Sequence, residues 1–276
     1  VIARLVRRCC LTLWLIPAGN AAIADQAQDL DRLVDLLRFE ETIGIMHDEG
    51  LRYGGELADE MLPDADRQSW TATVSRIYDE DKMLALISTD FRDELADANL
   101  APLLDYFDSE DGREIVAMEL SARQVFLDPE AEEAAIAQYQ AERGEDTALI
   151  GLVDQVITDS DLVEFNVMGT LNSSLMFYRG LSEGGAYDLS ESEILSDVWS
   201  QEEATRRNSE EWLGAFLLLA YQPLDTAKLE AYAAFFRTPE GRELNRAIFA
   251  AFDGMYEELS YLMGLAVAEH LTSEPL

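Results

Sequence analysis

The stretch FFRTPEGRELNRAIFAAFDGMYEELSYLMGLAV, Phe235 to Val267, decides the fold class of this chain. Within and around it Leu244, Ile248, Phe252, Met255, Leu259, Leu262, Met263, Ala266 and Val267 recur at steps of three and four. Those steps place them on one face of an amphipathic helix. Thr238 is a good N-cap, because its hydroxyl can accept a bond from a free amide of the first turn. Pro239 suits the next position, where no amide bond is lost and φ is already helical. Glu240 and Glu243 put negative charge at the positive end of the helix. Runs that alternate with period two are missing from the chain, and β-branched clusters are few, so the reading is all-α.

The phrase that starts this helix occurs twice. YFDSEDGREI, Tyr106 to Ile115, returns as FFRTPEGREL, Phe235 to Leu244. Ser109 with Glu110, Asp111 and Glu114 supplies the same cap and charge in the first copy. Gly112 and Gly241 then fall in the first turn, where glycine costs about 1 kcal/mol relative to alanine. A costly residue kept in both copies points to close backbone contact under the preceding aromatic pair. An anion bound at the helix N-terminus is the functional alternative, and the acidic first turn opposes it.

The repetition extends further. Gly50-Leu51-x-x-Gly54-Gly55 returns as Gly180-Leu181-x-x-Gly184-Gly185, Trp70 as Trp199, and Leu33-Val34-Asp35-Leu36 as Leu162-Val163-Glu164-Phe165. The offset is 130 at the glycines and 129 at the other pairs. A period this long describes a whole folding unit rather than a solenoid module. The expected architecture is two similar multi-helix units from an internal duplication, related by a pseudo-two-fold axis. The boundaries are 1–24 for a signal peptide, 25–147 for helical repeat 1, 148–158 for a linker that is itself helical or not, and 159–276 for helical repeat 2. Pro63-Asp64 and Asp188-Leu189-Ser190 mark loops, and Arg143-Gly144-Glu145-Asp146 marks the junction.

Residues 1–24 read as a secretory signal peptide. Arg4, Arg7 and Arg8 form a basic start, Cys9 to Ile16 an apolar core, and Ala22-Ile23-Ala24 a small-x-small cleavage signal ending at Ala24. The apolar core is shorter than the ~20 residues that span a bilayer. The expected location is therefore the periplasm. Cys9 and Cys10 are the chain's two cysteines, so the remaining 252 residues have no disulfide, thiol nucleophile or Cys-metal site. The apolar runs Trp212 to Tyr221 and Leu259 to Ala268 are also too short to span and read as buried helices.

Three of the 20 basic residues lie in 1–24 and none of the 55 acidic ones, which leaves 17 against 55 and a formal net charge of −38. Such a surface repels nucleic acid and anionic lipid. It solubilises the protein in the simpler reading and binds divalent cations in the alternative one. No loop has the Asp-x-[Asp/Asn]-x-[Asp/Asn]-Gly spacing of calcium sites; Asp79-Glu80-Asp81 comes nearest.

Chemistry-bearing motifs are sparse. His47 and His270 are the two histidines, and neither stands in His-Glu-x-x-His or Glu-x-x-His spacing. His47-Asp48-Glu49 is a suggestive triplet, although adjacent residues diverge around a helix. No Gly-x-Ser-x-Gly elbow or glycine-rich phosphate loop is present. The GLxxGG glycines read as helix-crossing or helix-ending positions, with the lining of a ligand groove as the functional alternative, and Trp70 and Trp199 as core anchors, with a binding aromatic as theirs. No catalytic, cofactor-binding or metal residue is assigned.

LDTAKLE, Leu224 to Glu230, followed by FFRTPEGREL, resembles the bacterial family called domain of unknown function twenty fifty-nine. Thr238 stands where that family carries Ser; in the first copy Glu110 replaces the proline. The resemblance implies a small, helical, exported envelope protein without an established activity, here in two copies. The functional expectation is a non-catalytic binding or structural module of the envelope, engaging an envelope protein or a small ligand. The alternatives are a divalent-cation-responsive acidic protein and an envelope hydrolase with an unrecognised site.

Overall fold

The computed structural model describes residues 18–63, 65–145 and 147–273, with side chains from residue 25 onward. The expected signal peptide and its cleavage after Ala24 fall outside the described side chains. Among the described residues there are thirteen helices and no strand. The all-α expectation is met. The first seven are α1 (Ala18–Leu36), α2 (Phe39–Met61), α3 (Arg67–Ile77), α4 (Glu80–Glu94), α5 (Ala101–Phe107), α6 (Glu110–Val125) and α7 (Pro129–Glu142). They are followed by α8 (Ala148–Asp159), α9 (Leu162–Glu183), α10 (Glu191–Ser200), α11 (Glu202–Tyr221), α12 (Thr226–Phe236) and α13 (Pro239–Ser273). No described helix is long and apolar enough to cross a membrane.

Short polar side chains start most of these helices. Asp66, Asp79, Ser109, Thr147 and Ser190 each accept a bond from a first-turn amide. Thr238 does the same for α13, its Oγ1 accepting from the Gly241 amide at 3.0 Å. The capping hydroxyl also donates backward, Ser109 to the Tyr106 carbonyl at 2.6 Å and Thr238 to the Phe235 carbonyl at 2.7 Å. A Cβ on Gly112 would collide with the Tyr106 carbonyl and the Phe107 Cα, and one on Gly241 with the Phe235 carbonyl and the Phe236 Cα. The repeated glycine thus lets each helix start fold back on the aromatic pair before it.

Some helix contacts of the N-terminal part recur in the C-terminal part, although α13 lies along α9 far more extensively than α6 along α2. α4 packs on α13, and α11 packs on α6. α1 meets α5 as α8 meets α12, and α2 meets α3 as α9 meets α10. Two non-glycine residues take left-handed backbone, Arg38 with φ 56° and Asp161 with φ 51°. They sit at equivalent bends, α1 into α2 and α8 into α9. α7, which packs on α11, has no counterpart in this order.

The register differs from the expected one. The left-handed residues are 123 apart and the caps Asp66 and Ser190 are 124 apart, whereas the caps Ser109 and Thr238 are 129 apart. The drift arises because α11 and α12, at 20 and 11 residues, are longer than α4 and α5, at 15 and 7. Three expected pairs therefore fail. Trp70 is 1% exposed with its indole donating to the Gly54 carbonyl at 2.6 Å, while Trp199 is 55% exposed. Gly54 is buried mid-helix against Val74, while Gly184 caps the end of α9 beside Ala268. Leu33 to Leu36 ends α1, while Leu162 to Phe165 opens α9.

One apolar core runs through both halves. It joins Leu33, Trp70, Phe91 and Phe107 to Tyr221, Leu244, Met255 and Val267. The segment expected as a linker, 148–158, is α8, which buries Ile150, Leu152, Val153 and Val156. The runs Trp212 to Tyr221 and Leu259 to Ala268 lie in α11 and α13 and contribute buried residues to the cores, as expected.

Candidate functional site

α9 and α13 lie side by side and parallel, in a constant register of 84 residues. Phe165 stacks on Phe249 at 4.5 Å, Gly169 faces Asp253, Gly180 meets Gly264 and Gly184 meets Ala268. The lower part of the seam closes to backbone contact: a Cβ on Gly180 would overlap the Tyr261 carbonyl, and one on Gly264 the Phe177 carbonyl. The GLxxGG glycines of this half thus permit a helix crossing. In the first half Gly50 and Gly54 make room for Tyr78 and Val74. The upper part of the seam carries phenylalanines instead of glycines, and there the surface opens.

The opening is a cleft of about 830 Å³. α9 supplies Phe165, Asn166, Gly169, Thr170 and Ser173; α13 supplies Ile248, Phe249, Phe252, Asp253 and Tyr256. α11 closes one side with Asn208, Ser209 and Trp212, and α7 adds Glu132 and Ile136. Trp212 is fixed on both its edge and its face. Its indole donates to Glu132 at 3.0 Å, and its ring stacks on Phe216 at 5.1 Å. Arg123, at the end of α6, reaches the cleft but is already engaged. It holds Glu49 with two bonds, Nε to Oε1 at 3.1 Å and Nη2 to Oε2 at 2.8 Å. Glu49, Tyr53, Tyr78 and Phe177 line a second hollow of about 390 Å³, which shares Thr170, Ser173 and Tyr256 with the first.

Asp253 stands out among these groups. It makes no hydrogen bond or ion pair among the described residues, in contrast to Glu49, Glu132 and Glu211. Burial, followed by the nearby Glu257, pushes its carboxyl up from the usual 3.8 to about 6. Tyr256 is likewise pushed up by burial, against the opposing pull of Arg123. A half-buried carboxylate without a partner is costly, and perturbed acids in clefts concentrate at functional sites.

The suggestive triplet is split. Glu49 lines the second hollow, Asp48 is exposed, and His47, whose Nδ1 lies 2.6 Å from the Tyr78 carbonyl, lines neither hollow. His270 pairs its Nδ1 with the Ala266 carbonyl at 2.9 Å and packs edge-on against Trp70. Among the described residues no group of three or more His, Cys, Asp or Glu side chains is placed to hold a metal ion. Sequence reading passed over Asp253, Arg123 and Trp212. The available signal was Asp253 itself, an acid set between Phe249, Phe252 and Tyr256 on a helix whose apolar stripe was otherwise read correctly.

No protein-family model matches the chain, and neither a curated protein nor a solved structure matches it.

Proposed function

We propose that the protein is a binding module of the bacterial envelope, exported through its first 24 residues, which acts by holding a ligand rather than by turnover. The observation that carries this reading is the α9–α13 cleft, lined by stacked aromatic rings and a few polar groups. Ligand sites are commonly concave, mostly apolar and supplied with few orienting polar groups, at volumes of about 300–1,000 Å³. The cleft has that size and composition. Neither histidine lines it. The resemblance of the Leu224 to Leu244 region to domain of unknown function twenty fifty-nine supports an exported helical module.

The scaffold for that cleft is an internal duplication, with α1–α6 equivalent to α8–α13 about a pseudo-two-fold axis. Reciprocal packing, the paired left-handed bends and the identical settings of Gly112 and Gly241 support it. On the register of that glycine pair, Asp253 corresponds to Gln124 and Phe249 to Leu120. Asp253 and Phe249 thus have no like residue at the corresponding positions of the first copy, while Arg123 of α6 and Glu132 of α7 reach the same cleft from the first half.

The test is to equilibrate the purified protein with envelope extract and identify retained small molecules by mass spectrometry. Gly169→Leu, which fills the cleft from the α9 side, serves as the control. Compounds retained by the parent and lost by the filled variant are expected. Identical retention by both would remove the cleft from the account. Turnover of ester, peptide, phosphate or glycan substrates by the parent would remove the binding reading.

A further inference from the structure

We propose that the cleft takes an organic cation, an ammonium group on an apolar body of about aromatic-ring size, with ionised Asp253 as its counter-ion. The proposal rests on the binding reading above and adds the class of ligand.

Charge decides the sign. The cation within the cleft, Arg123, is committed to Glu49 by both its Nε and Nη2. Glu132 is occupied by the Trp212 indole, and Glu211 faces Arg143 at 4.0 Å. Asp253 is left with no donor from the described residues. An incoming anion would meet Asp253, Glu132 and Glu211, and the guanidinium of Arg123 is already neutralised by Glu49. An incoming cation supplies the charge that Asp253 lacks. The chain as a whole carries a formal −35, which raises the local concentration of cations and speeds their arrival.

The walls select the body. Phe165 stacked on Phe249, with Phe252 and Tyr256 farther along α13, lines the same cleft as the carboxylate. Ring faces attract ammonium groups and bury apolar carbon, so both parts of such a ligand are matched. Gly169 keeps the opposite side clear. A Cβ there would stand 2.5 Å from Asp253 Oδ1. A hard divalent ion is a poorer match. Calcium takes roughly six to eight oxygen ligands, and a lone carboxylate in a cleft lined by phenylalanines offers few of them.

Isothermal titration with three matched probes tests the assignment: 2-phenylethylammonium, 2-phenylethanol and 3-phenylpropionate. The ammonium probe should bind about tenfold or more tighter than either other probe, the equivalent of ~1.4 kcal/mol. Asp253→Asn should abolish that preference while its circular dichroism and melting temperature show an intact fold. Asp253→Glu, which keeps the charge but moves it, should retain part of it. No binding of the ammonium probe at millimolar concentration, or equal affinity in Asp253→Asn, overturns the organic-cation assignment. Binding of the alcohol or the carboxylate as tight as the ammonium, and abolished by Gly169→Leu, also overturns it while leaving the cleft as a binding site. Loss of every probe together with identical extract retention by parent and Gly169→Leu takes both readings down.

Discussion

At the scale of single residues, Asp253 and Gly241 illustrate opposite kinds of constraint. Burial holds the Asp253 carboxyl at about 6 in the folded protein, against 3.8 in the open chain. The folded state therefore grips the proton more tightly than the unfolded chain does. The stability this group contributes is complete below pH ~4 and is lost as pH rises through about 6. Glu257 on its own helix adds to the rise, Arg123 lies across the cleft, and Asp90 of α4 approaches the neighbouring Gly254. Asp253→Asn should raise stability at pH 7 by about 1 kcal/mol, after discounting for the solvent that still reaches the group. The gain should vanish near pH 4. Urea midpoints at both pH values check this; a loss of stability at pH 7 would mean that a partner holds the ionised form. Gly241 is constrained by space. Gly241→Leu should cost roughly 1–3 kcal/mol, because the new side chain starts against the Phe235 carbonyl, which cannot move aside as a side-chain tip could. An unchanged urea midpoint would contradict that contact. The sequence showed Gly241 plainly, since a glycine repeated in a helix's first turn has few other reasons to be there. It showed Asp253 only as one of 55 acids, because partnerlessness is a property of three-dimensional surroundings.

Among elements, the parallel pair α9 and α13 governs the site. Their seam is tight at Gly180 and Gly264 and open at Phe165 and Phe249, so small residues at one end hold the cleft's walls at the other. Gly180→Leu should force the helices apart and destabilise the protein by about 3 kcal/mol, at the upper end for overpacking. It should also weaken ligand binding, although Gly180 lies outside the cleft. A variant with parent-like melting temperature and affinity would show that the crossing tolerates bulk. Periodicity revealed α13, and glycine spacing suggested a crossing in this half. The partner of that crossing was not readable, because nothing in a single sequence says which two amphipathic faces meet. The expected pairing of Trp199 with Trp70 misled for a related reason. Two helices of unequal length shift the alignment by a turn and more, and a lone tryptophan is a poor anchor across such a shift.

For the whole molecule, the joined core has a thermodynamic consequence. Leu33, Trp70 and Phe107 share one apolar cluster with Tyr221, Leu244 and Val267. Glu119 of α6 adds polar cross-links, accepting bonds from Tyr221 of α11 at 2.7 Å and Tyr232 of α12 at 2.9 Å. Unfolding should therefore follow a single transition, with helix content and the fluorescence of buried Trp70 lost together. Two separated transitions would show halves that stand independently. The 148–158 segment, read from the sequence as a linker that is helical or not, is helical and contributes buried residues to this core.

The account turns on the cleft, and Trp212 reports on it directly. Its indole N–H faces Glu132 inside the cleft, that of Trp70 is buried against the Gly54 carbonyl, and Trp199 lies in the open. The measurement is a fragment titration followed by the indole N–H resonances of the isotopically labelled protein, assigned by single tryptophan-to-phenylalanine substitutions. The account predicts that binding fragments, cationic ones foremost, shift the Trp212 resonance in a saturable way and leave those of Trp70 and Trp199 in place. Fragments that saturate at Trp199 while Trp212 stays unmoved would contradict it.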